Sequence, residues 1–239
     1  MNKTKIEWTD YSWNPITGCK HGCWYCYARR LCLRFKKIFP NGFEPTFYPE
    51  RLKEPWKLKQ PSKIFVCSIA DLFAPWTPCE WRDQVMFSIY QCPTKHTFQL
   101  LTKNPERIPW HHAWYHQHNV WIGTTVTNTD GDWRNIEEIK KEKVSGVRFV
   151  SFEPILGELP ADACLDGIDW VIIGKLTGSR KMKLDPWWVA SVYNEARRHD
   201  IPVFMKNNLK PTFDAKYQEF PTKNEESNNE DSERTERRN

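Results

Sequence analysis

Three cysteines fall within eight residues, in the run Gly18-Cys19-Lys20-His21-Gly22-Cys23-Trp24-Tyr25-Cys26. Thiolates are metal ligands, and C-x3-C-x2-C spacing lets one loop wrap a cluster and turn three sulfurs inward. Gly18 and Gly22 permit tight backbone turns there. A helix starting just after Cys26 would add positive potential beside an anionic cluster. Three thiolates can hold three irons of a [4Fe–4S] cube, whereas electron-transfer clusters use four cysteines. The fourth iron is then left for a substrate or cofactor, much as catalytic zinc keeps an open position. Structural zinc is the rival reading. It usually takes four ligands in two separated pairs, so His21, Cys32, Cys67 or Cys79 would have to complete the set. Cys67, Cys92 and Cys164 sit in apolar contexts and read as small buried hydrophobes, and Cys32 reads as helix packing.

The chain has 239 residues, eight of them cysteine, and a net charge of +5. No apolar run approaches the roughly 18 residues of a membrane span, and Met1 to Asp10 lacks the apolar centre of a signal peptide. The expectation is a cytoplasmic protein without membrane contact, in which clustered cysteines serve metal or redox chemistry rather than disulfides. The pI of about 8.7 permits contact with nucleic acid without demanding it.

Elements must position that loop. Strand-like apolar runs alternate with helix-like runs, which predicts a parallel sheet covered by helices. About seven strands are expected. The fold class is therefore α/β, a partial or full TIM-like (β/α) barrel over residues 1–213, with an open doubly wound sheet as the alternative. Helices are predicted over Tyr27 to Ile38, Pro78 to Gln91, from Asn104, over Asp132 to Lys141, and from Asp185 to His199. Residues 214–239 read as a polar, disordered tail. In such barrels functional groups gather where strands end. Those positions hold Ser68, Asp71, Lys103, Thr125, Asn128, Glu153, Lys175 and Lys206. His112 and His116 are four apart, but no H-E-x-x-H pattern is present, and the segment reads as an aromatic surface helix.

C-x3-C-x2-C with Tyr25 before the third cysteine resembles the signature of the radical S-adenosylmethionine superfamily. Lys5-Ile6-Glu7-Trp8-Thr9, Trp13-Asn14-Pro15, Asp71-Leu72-Phe73, Leu101 to Arg107 and Arg148 to Pro154 resemble, more narrowly, a three-cysteine protein family named from phage genomes. That likeness runs from about residue 4 to about 208. It implies a partial (β/α)6 barrel and a [4Fe–4S] cluster on Cys19, Cys23 and Cys26. It also implies S-adenosylmethionine on the open iron, a 5′-deoxyadenosyl radical, and a flavodoxin- or ferredoxin-like electron donor. Under it, Tyr25, Ser68, Asp71, Lys103, Thr125, Asn128, Glu153 and Lys206 are cofactor-binding candidates. Ser68 or Asp71 would meet the methionyl amine and Lys103 its carboxylate. Thr125, Asn128 and Glu153 would face the ribose or substrate. Nucleic acid or a nucleotide is the substrate class in view. The rival functions are a non-catalytic cluster protein for redox or sensing and a zinc-stabilised nucleic-acid-binding module. One departure stands out: such relatives carry a Gly-Gly-Glu-Ser type turn after the sixth strand, and here the run is Gly174-Lys175-Leu176-Thr177-Gly178-Ser179, with a lysine and no acid.

Overall fold

The structure is a computed structural model that describes residues 1–177, 182–210, 213 and 217–222. Among these described residues ten strands form: β1 (Asn2–Lys3), β2 (Tyr11–Trp13), β3 (Ile16–Thr17), β4 (Thr46–Phe47), β5 (Lys63–Val66), β6 (Thr97–Thr102), β7 (Val120–Thr125), β8 (Arg148–Phe152), β9 (Trp170–Ile173) and β10 (Val203–Met205). Eight of them make one open sheet in the order β1-β2-β5-β6-β7-β8-β9-β10, and β3 and β4 pair separately. β1 is antiparallel to β2, and every later pairing in the large sheet is parallel. The order never reverses, so the sheet is not doubly wound and has no topological switch point.

Each strand divides its side chains between two faces, as a period of two requires. Ile64 and Val66, Phe98 and Leu100, Val150 and Phe152, and Val171 and Ile173 enter the larger core. The α-helices among the described residues are α1 (Tyr27–Arg34), α2 (Cys79–Tyr90), α3 (Asn135–Lys140) and α4 (Pro186–Arg198). Those on the larger-core side lay their own apolar stripes against it, among them Val85, Met86 and Ile89 of α2 and Val189, Val192 and Ala196 of α4. The intervening strand residues Phe65, Trp121, Phe149, Trp170, Ile172 and Phe204, with Trp8 from the β1–β2 connection, form a second, strongly aromatic core. Gly123 is required there, because a Cβ would lie 2.5 Å from the Phe149 ring.

Several predicted boundaries shift. α1 ends at Arg34 rather than Ile38, because only Ala28 and Cys32 of that helix are buried and an unsupported further turn is marginal. The helix expected from Asn104 is a single 3-10 turn over Pro105–Arg107. The His112 region contains one 3-10 turn, Ala113–His116, in which His112 stacks on Trp114 and His116 Nε2 lies 2.7 Å from the Trp110 carbonyl. Asp185 caps α4 through the Trp187 N–H. The packed chain also runs past residue 213. Trp170 Nε1 donates to the Glu219 carbonyl, Phe220 stacks on Trp170 at 5.3 Å, and Glu219 pairs with Arg197. The tail reading of Lys223 to Asn239 lies outside the described residues.

Candidate functional site

The cysteine loop leaves β3 and enters α1. Its first residue is pinned: the Gly18 N–H donates to the Ile69 carbonyl, and the Cys19 N–H donates to the Phe43 carbonyl. Gly18 has φ +85°, and a Cβ there would lie 2.2 Å from the Glu44 carbonyl oxygen. Gly22 also has positive φ, +70°, but a Cβ would meet nothing within 4 Å. Gly18→Ala therefore combines backbone strain with a backbone clash, and Gly22→Ala carries strain alone, about 1 kcal/mol. In urea melts Gly22→Ala should lose roughly that amount and Gly18→Ala at least about twice as much. Equal losses would contradict the packing at Gly18.

The Cys26 thiol caps α1, accepting from the Arg29 N–H at 3.3 Å. The Cys19 thiol accepts the His21 N–H, but burial, and then the charges of Asp71, Cys23 and Cys26, push it up to about 12. A thiol held up in this way gives up its proton when it binds a metal cation. Among the described residues, the one group of three or more His, Cys, Asp and Glu ligand atoms lying within 4.8 Å of one another is Cys164, Glu195 and His199. The three loop sulfurs do not all lie that close to one another. The cube reading places each thiolate on a separate iron and is compatible with that wider spread.

All three cysteines line a cavity of about 610 Å³ at the C-terminal ends of the parallel strands. That volume is within the usual range of ligand sites. Phe65, Trp8 and Leu101, from the aromatic side of the sheet, also line it. Of the strand-end candidates, Ser68, Asp71, Lys103, Thr125, Glu153, Lys175 and Lys206 line the same cavity. Asn128 does not. It sits in a turn at φ +60°, and its amide donates to the Gly157 carbonyl at 3.0 Å.

Partners change the roles of several candidates. Buried Asp71 accepts at Oδ1 from the Phe73 N–H (3.0 Å) and the Thr102 hydroxyl (2.7 Å). Its Oδ2 accepts from the Lys103 N–H (3.0 Å), Asn104 Nδ2 (2.9 Å) and His21 Nε2 (2.9 Å). Burial alone would raise its pKa, but the hydrogen bonds from His21, Lys103 and Thr102 outweigh it and hold the carboxyl below its ordinary value. With five donors on two oxygens, Asp71 is not a ligand for a methionyl amine. It fastens the cysteine loop, through His21, to the ends of β5 and β6.

Lys103 Nζ donates to the Tyr25 hydroxyl at 3.0 Å. Burial, followed by the charge of Cys23 and the hydrogen bond to it, pushes the Tyr25 phenol upward. Lys103, Tyr25 and Cys23 form a chain from strand end to loop. Lys206 Nζ pairs with Glu153, and a Cβ on Gly174 would lie 2.9 Å from Lys206 Cδ and 3.3 Å from Glu153. Thr125 is buried at its strand end.

Asn14 and Tyr27 were not singled out from the sequence. Asn14 Oδ1 accepts from the Ser68 hydroxyl (3.2 Å) and the Ile69 N–H (3.3 Å), and the Tyr27 hydroxyl donates to the Ser68 carbonyl (3.0 Å). Both line the cavity. The available signal was Asn14 in the quoted Trp13-Asn14-Pro15 run. Cys67 is buried against the same cavity at φ +57°, and burial raises its thiol to about 12. Cys164 departs from its reading as a buried hydrophobe: it is half-buried and faces His199.

A family model described as "Protein of unknown function (DUF5131)" matches residues 3–232. No curated protein matches the chain, and no solved structure does.

Proposed function

The chain belongs to the DUF5131 family, and we propose that it is an iron–sulfur enzyme of the radical S-adenosylmethionine type. The observation that carries this reading is the convergence of Cys19, Cys23 and Cys26 on one large cavity at the C-terminal strand ends, among polar strand-end groups. An open parallel sheet whose strand order never reverses fits a partial (β/α) barrel better than a doubly wound domain. A reduced cluster held by the three cysteines would supply one electron to a bound S-adenosylmethionine, breaking its S–C5′ bond to methionine and a 5′-deoxyadenosyl radical, with the cluster oxidised by that one electron.

The protein's own groups then bind and orient. Lys103 is the cation for a carboxylate, reaching the cavity beside Tyr25. Ser68, Thr125 and the Glu153–Lys206 pair offer donors and acceptors to a ribose and its neighbours. Lys5, Lys103, Lys175 and Lys206 line the cavity against two carboxylates. Of those two, Asp71 is saturated and Glu153 is paired. That balance favours an anionic substrate, of which a nucleotide or nucleic acid is the class we favour. Lys175→Glu, which restores an acid at the divergent turn, should weaken binding of such a substrate roughly tenfold. Fluorescence anisotropy with a labelled oligonucleotide at fixed salt measures this, and unchanged affinity removes Lys175 from the substrate surface.

A reductant is also required. Residues 11–43 contain six lysines and arginines and no acid. Trp24, Tyr27, Leu31, Leu33, Phe35 and Ile38, six of the twelve exposed large apolar side chains among the described residues, cluster there. This surface beside the loop suits an acidic flavodoxin- or ferredoxin-like donor. Charge reversal at Arg34 and Lys37 should slow reduction by flavodoxin several-fold and leave reduction by dithionite unchanged. Equal slowing with both reductants would place the docking surface elsewhere. An oxygen-labile cluster also fits a cytoplasmic setting, and no helix among the described residues is long and apolar enough to cross a membrane.

The deciding experiment is anaerobic reconstitution with iron and sulfide, followed by EPR with and without S-adenosylmethionine. A reduced [4Fe–4S] signal that changes when the cofactor is added is the expected result. A signal indifferent to the cofactor would favour a redox or sensor protein. Zinc held by the loop in place of iron would overturn the reading.

A further inference from the structure

We propose a second metal site, for a single thiophilic divalent cation of the zinc class, built from Cys164, Glu195 and His199. The site lies at the opposite end of the sheet from the cavity. Cys164 is in the segment leading into β9, and Glu195 and His199 are in and just after the last turns of α4, which leads into β10. The three ligand atoms lie within 4.8 Å of one another. His199 Nε2 is 3.1 Å from Glu195 Oε1 and 3.7 Å from Cys164 Sγ.

Three features make this more than a helical Glu–His pair. First, the ligand types are complementary. A thiolate, an imidazole and a carboxylate together are a borderline-soft set that suits zinc and leaves a fourth position for solvent. Second, an acid stands on the far side of the ring. Asp166 Oδ1 lies 3.9 Å from His199 Nδ1, too far for a hydrogen bond but near enough to become an outer carboxylate partner when Nε2 ligates. Third, loop and helix are already docked. The Leu165 N–H donates to Glu195 Oε1, Lys140 Nζ donates to the Cys164 carbonyl, and the Asp166 N–H reaches Cys164 Sγ at 3.4 Å. Arg198 holds the other oxygen, Oε2, leaving Oε1 on the ligand side. Binding replaces the Cys164 thiol proton with the cation, that proton leaving to solvent, and uses the Nε2 lone pair of neutral His199, whose own proton is then carried on Nδ1. The cation then clips α4 to the segment before β9.

Cobalt is the probe, because a Co²⁺–thiolate bond gives a charge-transfer band. The chain with Cys19, Cys23 and Cys26 all changed to Ser removes the loop as a competitor. It should bind about one equivalent of Co²⁺ with that band. A further Cys164→Ser change should abolish the band, and His199→Ala should weaken binding at least about tenfold. If the loop variant does not fold, zinc content is compared in the full chain with its cluster reconstituted, with and without Cys164→Ser. About one zinc per chain, lost on that change, is expected. A band or a zinc content indifferent to Cys164→Ser, or no cobalt binding at all, overturns the site. None of these readouts depends on S-adenosylmethionine, so this proposal can fail while the cluster reading stands, and the reverse.

Discussion

Replacing Cys23 with alanine should remove the cluster and, with it, all cleavage of S-adenosylmethionine. Cys23 is the middle ligand of the proposed cluster, and the Tyr25 phenol and Lys103 link it to the end of β6. Reconstituted wild-type chain should carry about four irons and four sulfides. The variant should carry a small fraction of that, and 5′-deoxyadenosine formation should fall roughly 100-fold or more. Losing even an outer-shell partner of a metal site typically costs 10–100-fold, and a direct ligand matters more. The fold should survive, because Cys23 is half-exposed and outside every buried core cluster. Circular dichroism and iron analysis on one preparation separate the two effects. Cys32→Ala is the control. Cys32 is buried on α1 with Ala28, Phe39 and Ile69, so it should cost stability and leave iron content unchanged. Full iron loading in Cys23→Ala would end the three-thiolate reading, and equal iron loss in both variants would trace the defect to folding.

What could be read before the structure was local in sequence. The cysteine spacing is legible because three ligands within eight residues must share one loop. The parallel strands are legible because sheets covered on both faces are written as continuous apolar runs, such as Trp170 to Ile173. Strand-end polar residues could be placed at one rim, and all but Asn128 reach the cavity. Their partners could not be read. Glu153 and Lys206 pair across 53 residues, and His21 and Asp71 across 50. Only the folded geometry shows that Asp71 is consumed by donors from three segments. Cys164 looked like core for the same reason: its apolar neighbours Ala163 and Leu165 are buried, while the side chain between them turns toward a histidine 35 residues away. The segment 217–222 reads as tail by composition, yet it docks because Phe220 finds Trp170 and Glu219 finds Arg197.

Asp71→Asn tests whether that consumed carboxylate fastens the loop. Five donors converge on its two oxygens, so an amide must turn its NH₂ group toward hydrogens that already point inward. The variant should lose roughly 3–5 kcal/mol, the range for leaving a buried charge network broken. It should also retain less iron, because His21 lies inside the cysteine loop and loses its anchor. The pH dependence gives an independent check. The folded-state pKa is depressed, so the unfolded chain takes up the proton first. The stability contributed by the ionised carboxyl is complete above the unfolded value of about 3.9. It is lost as pH falls through the lower, folded value. The gap between wild type and Asp71→Asn, measured by urea unfolding of the cluster-free chains, should therefore be constant from neutral pH down to about 4.5 and shrink only below that. A gap that shrinks already near neutrality would mean that a different group, one that titrates in that range, is responsible. A gap under about 1 kcal/mol at neutral pH would mean that the donors find other acceptors. His21 would then be held by its edge contact with Trp76 at 4.8 Å, and the cysteine loop would be positioned by the Gly18 and Cys19 backbone bonds and the Lys103–Tyr25 link.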